Sequence, residues 1–70
     1  MQAKLDNWFT HHPPQGPEDV ARYQRIREAG KAFAEVIARE TPQSADQTVA
    51  IRHVREAVMV ANCAIACGGK

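Results

Sequence analysis

The sequence predicts an all-α chain, a short N-terminal helix followed by a long antiparallel αα-hairpin, assembled into a homo-oligomer. Three observations carry that expectation. Between residues 18 and 67, apolar side chains recur at steps of three and four in two successive stretches, the period of a helix with one buried face. Only Thr41, Pro42 and Gln43 separate the stretches, and so short a connection makes the two helices antiparallel neighbours. Finally, the run from Ala57 to Cys67 reads Ala-Val-Met-Val-Ala-Asn-Cys-Ala-Ile-Ala-Cys, apolar at every position except Asn62. A helix that is apolar all round must be buried all round. The run is far short of the roughly 20 residues that cross a bilayer, and Arg52, Arg55 and Glu56 precede it, so other protein rather than lipid covers it. A chain of 70 residues forms a single domain over 1–70, and a core that small rarely supplies more than about 3–5 kcal/mol. With only two cysteines available, self-association is the supplement that fits best.

The elements follow in order. Over residues 1–10, Leu5, Trp8 and Phe9 stand at i, i+3 and i+4 and give a short helix one apolar face. Two turns do not persist alone, so Trp8 and Phe9 are expected to anchor it on something else. Residues 11–17 hold three prolines and a glycine and read as an extended, stiff strap. The second helix, over 18–40, has Gly16 as N-cap, Pro17 at the first helical position, and Glu18 and Asp19 against the positive end of the dipole. Its seam is Val20, Tyr23, Ile26, Gly30, Phe33 and Ile37, with Gly30 marking a close approach by another backbone or a ligand. Thr41-Pro42 stops it. Ser44 and Gln47 then match a capping box and open the third helix, over 44–67, whose seam is Ile51, Val54, Val58, Ala61 and Ile65. Gly68-Gly69 closes it. The N-terminus lacks the apolar segment and cleavage site of a secretory signal, so the thiols are expected to stay reduced in the cytosol.

Chemistry has few places to sit. The net charge of +1 argues neither for nor against an anionic partner, but Arg22, Arg25, Arg27 and Lys31 gather against the single acid Glu28. At about 100° per residue, Arg27 and Lys31 share one flank of the seam, and Arg22 and Arg25 share the other. Either flank makes a phosphate clamp, since Arg grips with two parallel hydrogen bonds and Lys supplies a point charge. Solvated faces paired with Glu28, Glu35 and Glu40 are the plain alternative. Trp8, Phe9, His11, His12 and Tyr23 are faces on which a base can stack, but Trp8 and Tyr23 read first as packing residues. Asn62 fixes register between helices, or hydrogen-bonds a base edge. Cys63 and Cys67 read as small buried hydrophobes. Val58, Met59, Asn62, Cys63 and Ala66 are the expected contacts between copies. There is no nucleophile with an adjacent base, no glycine-rich phosphate loop and no convergent carboxylate pair, so an enzyme is not expected, nor a metal or a cofactor.

Certain residues, in their order and spacing, carry a likeness. Phe9-Thr10-His11-His12-Pro13-Pro14, Arg22-Tyr23 with Ile26-Arg27, Phe33-Ala34, Thr41-Pro42-Gln43-Ser44, and Ala57-Val58-Met59-Val60-Ala61-Asn62 with Ala64-Ile65-Ala66 resemble the phage anti-CBASS and anti-Thoeris hairpin-domain family. The likeness spans nearly the whole chain. It implies a small helical protein that forms hexamers in the cytoplasm of an infected bacterium. Such a protein acts as a sponge for cyclic di- or trinucleotides, and in some members cyclic ADP-ribose isomers, that signal infection. DNA, RNA and membranes are not implied partners. It further implies a pocket between protomers, in which an aromatic strap residue stacks on bases and basic residues of the second helix meet phosphates. The candidates for that pocket are Phe9, His11, His12, Pro13, Arg25, Arg27, Lys31 and Asn62, and the likeness does not single out which of Arg25, Arg27 and Lys31 meets phosphate. By position the stacking role falls to His11, where the family commonly has tyrosine. This departure puts affinity and base preference in question. The rival class is a structural or regulatory protein that docks another chain through the third helix.

Overall fold

The computed structural model describes residues 1–10 and 16–69, so that His11, His12 and Pro13 of the strap lie outside the described residues. The architecture is all-α: α1 (Gln2–Trp8), α2 (Pro17–Glu40) and α3 (Ala45–Ala66), with the two long helices in contact.

Local chemistry sets each boundary. Gly16 sits at φ 139°, a backbone region open to glycine, and hands over to Pro17, with Glu18 and Asp19 in the first turn of α2. Thr41 turns extended (φ −117°, ψ 150°) ahead of Pro42, while its N–H and its hydroxyl both donate to the Ile37 carbonyl, at 3.1 Å and 2.6 Å. At the start of α3 the Ser44 hydroxyl accepts the Gln47 N–H at 3.1 Å, the first half of a capping box. The second half differs from expectation. The Gln47 side chain turns away from its own helix and donates to the carbonyls of Ala38 and Thr41, at 3.2 Å and 3.1 Å. It satisfies orphan acceptors at the end of α2 and ties the two helices together at the turn. The C-terminus of α3 is a Schellman motif. Gly68 and Gly69, at φ 64° and 78°, donate to Ile65 and Ala64 at 3.1 Å and 2.9 Å.

The hairpin closes on Gly30. A Cβ there would lie 2.4 Å from Val58 Cγ2, so only glycine lets α2 and α3 come this close. Ile26, Ile37, Ile51, Val54, Val58, Ala61 and Ile65 are half-buried along this line. Val20 and Phe33, expected in the same seam, remain 47% and 59% exposed. Two helices cover one strip of each other, and seam residues at its margins need a third surface.

Helix α1 rests on the far end of α3. Asn7 Nδ2 donates to the Cys67 carbonyl at 3.3 Å, and Cys67 Sγ lies 4.0 Å from the Asn7 carbonyl. Trp8 lines a cleft of about 460 Å³ with Val60, Cys63, Ala64, Cys67 and Gly69. Of the two expected anchors only Trp8 meets the hairpin; Phe9 is 85% exposed. Cys63 is exposed and Cys67 half-buried, so within one chain the thiols are less covered than their apolar setting suggested.

No described residue is fully buried. The surface is 5620 Å², against about 4300 Å² for a compact monomer of this mass. The radius of gyration is 14.8 Å, where about 11 Å is usual for the length. Among the described residues no helix is long and apolar enough to cross a membrane.

Candidate functional site

The close approach at Gly30 leaves a groove on each side of the α2/α3 contact line, and the two differ in chemistry. One groove, of about 630 Å³, is walled by Ile26, Ala29, Phe33, Ile37, Ala50 and Ala57, and His53 is the polar residue on it. His53 Nδ1 lies 3.6 Å from Glu56 Oε2 on the same exposed turn of α3.

The opposite groove, of about 340 Å³, has an apolar floor of Gly30, Ala34, Ile51, Val54 and Val58. Its rim carries Arg27 and Lys31 from α2 and Arg55 and Met59 from α3. The 100° step of the helix explains the first pair, since residues four apart stand one above the other on one face. The hairpin register supplies the second pair. None of these three cations makes an ion pair among the described residues, whereas Arg22 meets Glu18 at 2.8 Å and Asp19 at 3.8 Å, and Arg39 meets Glu40 at 3.4 Å. Glu28, the acid nearest Arg27 in sequence, accepts a hydrogen bond from Gln24 at 3.2 Å. Arg27 and Lys31 therefore form a like-charge pair four residues apart, mildly unfavourable in an isolated helix, with a third positive charge across the groove.

Beside this groove, Arg27 reaches a second recess of about 310 Å³ with Tyr23, Asn62, Cys63 and Ala66. The Asn62 Oδ1 atom is shut off from water and accepts no hydrogen bond among the described residues. A buried amide oxygen without a donor costs about 1–3 kcal/mol, so this atom marks a place that the described residues leave unsatisfied. The terminal torsion of asparagine is soft, and a turn about it presents the amide to a neighbour.

The structure thus brings Arg27, Lys31 and Asn62 to one side of the hairpin. It does not bring Arg25 there: Arg25 is exposed and lines neither groove. Phe9 is exposed near the other end of the molecule from the turn, and the strap residues His11, His12 and Pro13 fall outside the described residues. Of the five expected contacts between copies, Val58 packs on Gly30 within the chain, Met59 is 55% exposed, Cys63 is exposed, and Asn62 and Ala66 are half-buried. Arg55 is the rim residue that reading along the sequence passed over. The signal was available in the antiparallel register: if Gly30 faces Val54 and Val58, then Lys31 and Arg55 border the same groove.

Residues 1–66 match the family model described as Acb2/Tad1, hairpin domain. No curated protein and no solved structure matches the chain.

Proposed function

The chain belongs to the Acb2/Tad1 hairpin-domain family, and from that premise we propose that it is a sponge. It binds cyclic di- or trinucleotide immune messengers without cleaving them, so that bacterial defence effectors of the CBASS type are starved of their signal. Copies of the chain assemble, as a hexamer, and the ligand sits where protomers meet. The observation that carries the reading is the groove beside Gly30, where Arg27 and Lys31, without an ion pair among the described residues, line an apolar cleft. Phosphates of the ligand meet the cations, and its bases meet apolar and aromatic surface supplied partly by the strap of another copy. His11, His12, Pro13 and Phe9 serve on that strap side. Asn62 serves as a register contact, its unpaired oxygen satisfied by a neighbouring protomer. The 5620 Å² surface supports assembly. It exceeds that of a compact monomer by roughly 1,300 Å², more than the roughly 800 Å² that each partner buries in a standard-sized interface.

A sponge needs tight binding and no turnover, and the sequence shows no nucleophile with an adjacent base, no glycine-rich phosphate loop and no convergent carboxylate pair. Calorimetry with a panel of cyclic di- and trinucleotides tests the proposal, followed by heat denaturation of the complex and analysis of the released ligand. Binding with recovery of intact nucleotide is the expected result. Linear products would make the protein an enzyme. Absence of binding to every member of the panel would favour the second reading, a protein that docks another chain, for which the wide apolar groove beneath the 59% exposed Phe33 is the supporting observation.

A further inference from the structure

The reading above rests on two cations of α2, but the groove has a second wall. Arg55 of α3 lines the same groove as Arg27 and Lys31 of α2, together with Gly30, Val54 and Val58. It has no acidic partner among the described residues, and the neighbouring acid, Glu56, lies against His53 at 3.6 Å. Three positively charged side chains from two helices therefore line one apolar cleft with no ion pair among the described residues, in a chain whose overall balance is only +1. A cleft lined by one sign of charge over low-dielectric walls concentrates counter-ions in it. A bound anion relieves the repulsion that the free protein carries.

Resting on the sponge reading, we propose that Arg55 is a third phosphate-contacting residue. It grips a phosphodiester from the α3 wall while Arg27 and Lys31 grip from the α2 wall, so that the groove selects ligands with two or more phosphodiester anions over mononucleotides. The planar guanidinium suits this task, since it offers a fork of donors matched to two phosphate oxygens. A ligand with a single phosphate satisfies one wall and leaves the cations of the other unpaired. The apolar floor and the Met59 thioether, 55% exposed beside Arg55, take the less polar ring and sugar surface between the anions.

The test compares wild type, Arg55→Ala and Arg55→Lys in binding cyclic di-GMP, cyclic di-AMP and the corresponding 5′-mononucleotides at several salt concentrations. Sedimentation of each variant is recorded alongside. Wild type is expected to prefer the cyclic dinucleotides by a hundredfold or more, with affinity falling as salt rises. Arg55→Ala is expected to bind them at least tenfold more weakly, with a flatter salt dependence and unchanged assembly. Arg55→Lys keeps the salt dependence, because the charge remains, and recovers part of the affinity. If Arg55→Ala binds within twofold of wild type and with the same salt dependence, Arg55 touches no phosphate and the proposal is overturned while the sponge reading stands. Weakened binding with an unchanged salt dependence, or with altered sedimentation, overturns it too, by assigning Arg55 a structural role. Mononucleotides binding as tightly as cyclic dinucleotides would overturn the selection for two anions. Wild type binding none of these ligands and no cyclic trinucleotide would remove the sponge reading itself.

Discussion

Gly30 is the residue on which the hairpin and its grooves depend. A methyl group at that position meets Val58 Cγ2 at 2.4 Å, and valine in a helix is held to one rotamer, so the neighbour has little freedom to yield. Alanine gains about 1 kcal/mol of helix propensity over glycine, while overpacking of this kind costs roughly 1–3 kcal/mol. The steric term wins. Gly30→Ala is expected to lower the melting temperature by several degrees at fixed protomer concentration, and Gly30→Ala with Val58→Ala to recover part of the loss, measured by a thermal double-mutant cycle. A single mutant as stable as wild type would show that the helices separate at no cost. At the same scale, Arg27→Ala with Lys31→Ala is expected to weaken cyclic-nucleotide binding tenfold or more and leave sedimentation unchanged. Unaltered affinity in calorimetry would shift the phosphate contact to another surface.

At the scale of elements, Gln47 joins two helices where sequence pattern assigned it to one. Ser44-Ala45-Asp46-Gln47 has the capping-box spacing, and Ser44 does cap α3, but the Gln47 amide donates to Ala38 and Thr41 at the end of α2. The two accounts differ in what glutamate would do at this position. A capping box accepts Glu as readily as Gln, whereas a carboxylate has no hydrogen to offer two carbonyls. Gln47→Glu is therefore expected to destabilise by about 1–3 kcal/mol, from two lost bonds and the repulsion left behind. A denaturant midpoint equal to that of wild type would return Gln47 to the capping role. Much of the element plan was legible because its causes are local. Helical spacing showed in the seams, Pro17 and Thr41-Pro42 bounded α2, and Gly68-Gly69 ended α3. Less legible were features that exist only across the turn. Val20 and Phe33 carry the seam period yet stay exposed, and Arg55 looks like an ordinary surface charge until α2 is laid beside α3. Phe9 shares a helical face with Trp8 in sequence spacing, but α1 ends at Trp8, and Phe9 stands clear of the face that docks.

For the whole molecule, the controlling quantity is surface. With 5620 Å² exposed and no described side chain fully buried, the single chain holds its hairpin together with a strip of half-covered aliphatics and leaves Met59, Val60, Trp8 and Phe33 half or more exposed. Apolar surface on that scale is covered by other copies in our account, and a charge introduced into it has nowhere to go. Met59→Glu is expected to dissociate the assembly, because it replaces apolar contact surface with a carboxylate whose desolvation between protomers costs several kcal/mol, more than neighbouring cations such as Arg55 return. Light scattering after gel filtration reads the outcome, and a mutant of wild-type mass would take Met59 out of the contact. In our account assembly also determines whether the sponge works, since the proposed site needs the strap of one copy and the basic groove of another around one ligand. The most direct measurement is sedimentation of the wild-type protein at micromolar concentration, first alone and then with a cyclic dinucleotide. Our account predicts one species with the mass of six 7.7 kDa chains that keeps its mass and carries ligand with it. A compact 7.7 kDa monomer, with the ligand sedimenting separately, would contradict it.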